Sequence, residues 1–247
     1  MQIKTTGLVL REVKTGEADR ILTILTPDYG VISASAKSSM RLKSKLFAAT
    51  GLFCYSEFLL FEGKTMYSVD EASATEVFFG LRGSIEGMSL AMYLAELTIT
   101  LSPEGESAQT LLRLLLNSLH LISEQKKPIE QIKTVFELRA LSDAGFMPDI
   151  VGCKYCGGYQ TNAFLFNLQE GDLLCATCAK QQGIEPNITR SELSAMQHIL
   201  YSKPDKIYGF TLLSKTQKHL SALASGYVCY QLDHHFRSLD FLQSVLD

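Results

Sequence analysis

Near residue 80 the apolar pattern changes its repeat, from alternation along short segments to the spacing of buried helices, and no single layer of structure accommodates both. Before that point five segments read as strands. They are residues 2–13, with Ile3, Leu8, Val9 and Leu10; RILTILT at 20–26; VISASAK at 31–37; CYSEFLLFEG at 54–63; and MYSVDEASATEVFF at 66–79. PDYG at 27–30 marks a turn by its Pro and Gly. Short connections, with one longer basic connection between the third and fourth strands, suit a small closed barrel of the OB type.

After residue 80, Leu90, Met92, Tyr93, Leu94, Leu97 and Leu101 predict a buried helix that Pro103 stops. Leu111 to Ile122 and Pro128 to Ala144 predict two more, the second ended by Gly145 and Pro148. Ser191–Glu192 marks a helix start, and further helices are expected through Leu193–Tyr201, over Lys215–Phe236 and on to the end. The expected class is α+β and multidomain: an N-terminal OB-fold β-barrel over 1–80, then an α-helical domain over 81–247 with a four-cysteine module inserted at about 150–180.

That module rests on Cys153, Cys156, Cys175 and Cys178, two CxxC pairs with 18 residues between them. Each pair puts two thiolates on one tight turn, and a hairpin between them brings the pairs together, as four-cysteine zinc sites require. Gly157 and Gly158 let the backbone turn beneath the sulfurs. The alternatives are unligated pairs or a redox dithiol. Four thiolates close the zinc shell and leave no place for substrate, so the expected cofactor is one structural Zn2+ that stabilises a hairpin too small to fold unaided. Nothing marks the chain as secreted, which argues against a disulfide framework.

MQIKTTGLVLREV has no signal-peptide character, and the apolar runs near 90–101 and 111–122 are broken by Glu96, Arg113 and His120. A soluble, intracellular protein with no membrane contact is expected. No GxGxxG, HExxH or GxSxG is present, and no H-x-E precedes the cysteine pairs. Gly63-Lys64-Thr65 lacks the phosphate-loop glycine five residues earlier, where Phe58 stands, and it joins two strands. His234 and His235 are adjacent and do not share a helix face. No catalytic set emerges, and an enzyme is not expected.

Residues 37–45, KSSMRLKSK, carry four basic side chains, and the window 29–56 around them holds no Asp or Glu. The whole chain has 23 basic against 26 acidic residues, a net charge of −3. Phosphate binding follows local potential more than total charge, so this balance does not exclude a nucleic-acid partner. Lys37, Arg41, Lys43 and Lys45 are the candidate phosphate ligands, with Arg20 and Lys64 as secondary candidates at neighbouring barrel loops. Tyr29, Phe47, Phe53, Tyr55 and Tyr67 lie near enough in sequence to offer stacking faces, or to be core. The alternative for the segment is a solvated face.

These pieces resemble the RecO family of DNA repair and recombination mediators over essentially the whole chain. The resemblance is carried by GLVLREVKTGEADRILTILTPDYGVISASAKSSMR with its Gly-Glu-x-Asp, by FELRALSDAGFMPDIVGCKYCGG at 136–158, by GDLLCATC at 171–178 and by HHFRSLDFL at 234–242. One departure is Ser38-Ser39, where Gly-Ala is expected in many members. The resemblance implies binding of single- and double-stranded DNA and annealing of complementary strands. It implies action with RecR to help RecA displace single-strand-binding protein, whose acidic C-terminal tail would meet the helical domain, where Arg113, Lys133 and Arg139 are candidates. It also implies a cytoplasmic, nucleoid-associated protein of bacteria. Two rival readings are a zinc-ribbon RNA- or protein-binding factor of transcription or translation, and an enzyme with a site assembled from scattered residues.

Overall fold

In the computed structural model, which describes residues 1–246, the alternating segments pair as β1 (Gln2–Thr15), β2 (Asp19–Thr26), β3 (Gly30–Ala36), β4 (Cys54–Phe61) and β5 (Tyr67–Val77). They close a barrel in the order β1-β2-β3-β5-β4. Closure comes from antiparallel pairing of β1 with β4, Gln2 opposite Phe61 through Leu8 opposite Tyr55, and from a short parallel contact of β3 with β5 at Ala34–Tyr67. This is the OB arrangement. Ile3, Val9, Leu22, Ile24, Ile32, Phe58, Leu60 and Val69 fill the interior, one side of each alternating strand. Leu8, Val9 and Leu10 are all buried although consecutive, because the β1–β2 register shifts between Val9 and Arg11. The PDYG turn has Gly30 at φ +63, and a Cβ there would meet the Pro103 carbonyl at 2.3 Å, so only glycine fits.

Between β3 and β4 lies one short helix that the sequence pattern did not suggest, α1 (Leu46–Ala49). After a 3-10 turn at Phe79–Gly83 come α2 (Ile85–Leu101) and α3 (Gln109–Ser123). Ser84 caps α2, its Oγ accepting the Gly87 N–H at 3.0 Å. Then follow α4 (Ile129–Asp143), β6 (Ala163–Asn167), β7 (Asp172–Cys175), α5 (Ala176–Gln181), β8 (Ile188–Thr189), α6 (Arg190–Tyr201), α7 (Ser214–Leu232) and α8 (Arg237–Leu246). The helix expected over Lys215–Phe236 stops at Leu232, because Asp233 takes a left-handed conformation at φ +45 and ends it.

The change from strand to helix falls near residue 80, while compact packing divides the chain after Gln125. One unit is Met1–Gln125 with the residues from Ser238 on; the other is Lys126–Arg237. In the first, α2 packs on β1 and α3 on β2, and the Ser238 N–H donates to the Glu96 carboxylate at 3.1 Å. In the second, α4 packs against α6 and α7, and β6 joins β7 and β8 in a small sheet. Among the described residues no helix is long and apolar enough to cross a membrane.

Candidate nucleic-acid interface and metal centre

Where the chain leaves β3, Ser38 turns at φ +52 and donates its N–H to Asp19 Oδ1 at 2.7 Å, and Met40 donates to the Ala18 carbonyl at 2.9 Å. The Asp of the Gly-Glu-x-Asp run thus anchors the basic connection to the start of β2. Successive turns, from Arg41 N–H to Ser38 O, Ser44 N–H to Arg41 O and Phe47 N–H to Ser44 O, wind the segment into α1. Lys37, Arg41, Lys43 and Lys45 are all exposed, and among the described residues none makes an ion pair or side-chain hydrogen bond. The Asp19 carboxylate lies close by on the Ser38 N–H, yet it forms no ion pair with any of the four.

Arg20 is placed otherwise, and this corrects its reading as an open phosphate ligand. It is buried beneath the connection, its Nη1 donating to the Phe47 carbonyl at 3.2 Å and to Thr50 Oγ1 at 3.0 Å. Its Nε stands 3.3 Å from Glu12 Oε2, an ion pair without hydrogen-bond alignment, and its guanidinium lies 5.5 Å from the Phe47 ring centroid. Alternation had assigned Arg20 to a strand end, and only the fold of α1 over that end buries it. Lys64 is exposed in the β4–β5 connection. The parallel pairing sets Tyr67 beside Ala34, so that connection joins from the side of β3's start, away from where the basic segment leaves.

Of the five aromatic candidates, Phe53 is buried, Tyr29 and Tyr67 pack against the barrel core, and Tyr55 is half-buried. Phe47 alone of the five counts as exposed, at 39%. In the helical unit, Lys133 is buried in a polar cluster between α4 and α7, and Arg139 donates to the Leu200 carbonyl at 2.7 Å at the end of α6. Neither is free to meet an acidic tail. Arg113 is exposed on α3.

The four cysteines converge as their spacing predicts. Their sulfurs all lie within 4.8 Å of one another. Phe164 opposite Cys175 through Asn167 opposite Asp172 forms the hairpin, and the Lys154 N–H bonds the Leu173 carbonyl at 2.8 Å, fastening the first CxxC turn to β7. Gly157, at φ +67, closes that turn by donating to the Cys153 carbonyl at 2.8 Å. The Gly158 N–H points at Cys156 Sγ and the Cys178 N–H at Cys175 Sγ, each at 3.4 Å. Burial pushes the Cys153 thiol up, but the backbone N–H groups of Cys175, Cys156 and Tyr155 and the Cys156 thiol more than offset it, bringing it to about 6. Cys178 is pushed up to about 12, by its contact with Cys175 first and by burial second. Crowded thiols of this kind do not all ionise by themselves. A bound cation is what would let all four become thiolates, so the donor set fits a metal ion.

Residues 1–78 match the family model described as recombination protein O N terminal, and residues 82–240 match recombination protein O C terminal. The chain belongs to the RecO family. Relatives include the DNA repair protein RecO of Acetivibrio thermocellus, 35% identical over 98% of this chain and 97% of its own length. Another is that of Alkaliphilus metalliredigens, 32% identical over 99% of this chain and 100% of its own. A third, from Caldicellulosiruptor bescii, is 30% identical over 98% of each. The two matches together cover both the barrel strands and the cysteine module.

Proposed function

We propose that this chain is a non-enzymatic, cytoplasmic and nucleoid-associated mediator of DNA repair and homologous recombination. In this reading it binds single- and double-stranded DNA, anneals complementary strands, and with RecR helps load RecA onto DNA covered by single-strand-binding protein. Residues 1–80 would be the DNA-binding domain and 81–247 the helical domain that carries the zinc module and meets the acidic tail of that protein. The observation that carries the DNA part is the exposed set Lys37, Arg41, Lys43 and Lys45 on one barrel connection, without an ion pair among the described residues. Membership of a family whose relatives are named DNA repair proteins supports the rest.

Four cations on one exposed connection neutralise successive phosphates and release condensed counterions, which gives affinity without sequence preference. That suits annealing and loading, where any sequence must be accepted. Lys64 adds charge from a separate loop. Cys153, Cys156, Cys175 and Cys178 would hold Zn2+, whose contribution is to fold the hairpin.

The test titrates labelled single-stranded DNA with wild-type protein and a variant with Lys37, Arg41, Lys43 and Lys45 changed to Ala, at several salt concentrations. A log–log salt slope lower in magnitude by roughly 3, at about 0.7 per contact, supports the reading. An unchanged slope in the folded variant sinks it.

A further inference from the structure

Phosphate contacts alone do not distinguish a single strand from a duplex; an accessible ring face does, because only unpaired bases offer theirs. The basic connection carries one exposed aromatic residue. Phe47 follows Lys43 and Lys45 by a few residues and keeps 39% of its surface in solvent. It is held rather than loose. Arg20 reaches from the barrel side, bonds the Phe47 carbonyl at 3.2 Å, and lays its guanidinium over the ring, 5.5 Å from the centroid. The same Nη1 holds Thr50 Oγ1 at 3.0 Å, and that hydroxyl donates to the Leu46 carbonyl at 2.7 Å. Both sides of Phe47 along α1 are therefore tied to one guanidinium, which Glu12 neutralises from β1.

Such an arrangement costs something to build. It places an arginine at 7% exposure in a barrel wall and leaves a large apolar ring at the surface next to cations. A core phenylalanine would point inward, as Phe53 and Phe58 do. A merely solvated connection has no use for a rigid ring.

We propose that Phe47 is the base-stacking platform of this interface and that Arg20 is its positioning residue, a pairing that rests on the DNA-binding reading above. Lys37, Arg41, Lys43 and Lys45 track the backbone, and Phe47 takes the face of an unpaired base. The ligand is single-stranded DNA, preferred to a polyanion of equal charge that lacks bases.

The chain has no tryptophan, so Phe47→Trp introduces a single fluorescent reporter at the site. Binding is measured for oligothymidine and for an abasic strand of the same length, with wild type, Phe47→Ala, Phe47→Leu and Phe47→Trp, each checked for its thermal midpoint. Phe47→Ala and Phe47→Leu should bind oligothymidine roughly five- to 150-fold more weakly, with the salt slope kept and abasic binding unchanged. Phe47→Trp should retain affinity, and its emission should be quenched by oligothymidine and not by the abasic strand. Arg20→Lys keeps the charge but not the fork, and should weaken oligothymidine binding by roughly fivefold, with a smaller loss in the Phe47→Ala background. Equal binding of both strands by wild type and Phe47→Ala, with no quenching in Phe47→Trp, overturns the stacking role. An equal Arg20→Lys penalty in both backgrounds overturns the positioning role. If wild type binds neither strand, the DNA-binding reading itself fails, and this proposal with it.

Discussion

Lys133 and Glu137 stand one turn apart on α4 and pair at 3.1 Å with side chains only 5% and 0% exposed. The ammonium also donates to the Ser221 carbonyl and hydroxyl at 2.8 and 2.9 Å, and to Ser225 Oγ, which in turn donates to Glu137 at 2.8 Å. Two serines of α7 thus complete the pair's hydrogen bonding, and the cluster sets the register of α4 against α7. Removing one partner leaves a buried charge alone. Lys133→Met or Glu137→Leu singly should cost about 3–5 kcal/mol in urea unfolding, and the double variant markedly less than the two costs added. Additive costs would mean that the two groups do not act as a unit.

Ser38 holds a left-handed conformation, φ +52, that glycine adopts freely. Its N–H bond to Asp19 is a backbone bond and survives substitution. Ser38→Gly should therefore raise stability by up to about 1 kcal/mol, relief of backbone strain outweighing the added freedom of the unfolded chain. Next to it, Ser39 Oγ is buried and, among the described residues, has no partner. Ser39→Ala should be neutral or stabilising. Thermal midpoints check both.

Glu192 caps α6. Its carboxylate accepts the Thr189 N–H at 2.7 Å and faces His219 Nδ1 at 2.6 Å. Burial pushes this carboxyl up, but the Thr189 backbone and His219 pull harder, leaving it below the ordinary glutamate value of 4.5. A depressed carboxylate contributes stability that is full above its unfolded pKa and is lost as the pH falls through the folded value. Glu192→Gln should cost about 1 kcal/mol at pH 7, the scale of a lost cap. The gap from wild type should shrink steadily below about pH 4.5. Unfolding free energies between pH 3 and 7 decide; a gap constant with pH would show that the charge plays no part.

Purified protein should contain bound zinc, and Cys175→Ser should lose it. Chelation should expose the amides of β6 and β7 to fast hydrogen exchange while those of β1 to β5 stay protected, since the two lie in separate compact units. Retained protection of β6 and β7 after metal removal would show that the hairpin folds by its own apolar packing.

The barrel strands and the cysteine site were legible in sequence because each depends on local spacing. Strand alternation places Ile32, Ala34 and Ala36 on one face regardless of what lies across the barrel. CxxC fixes two thiols on one turn, and an intervening hairpin can only bring the next pair back to it. Lys133 resisted the same treatment. Its charge suggested a surface, and α4 has no amphipathic stripe to correct that, because nearly every residue from Gln131 to Leu141 is buried, the polar ones included.

Composition and periodicity by themselves determined a five-stranded barrel, a helical half, a four-thiol centre and an acid-free basic connection. Each follows from residues near one another in the chain. Only the tertiary structure decided what Arg20 does. In sequence it is one more cation beside a basic loop, and its task depends on α1 folding across the end of β2, which brings Phe47 and Thr50 to it from 27 and 30 residues away. Charge is a property of the residue. Whether that charge faces a phosphate or a carbonyl is set by what the rest of the chain lays over it.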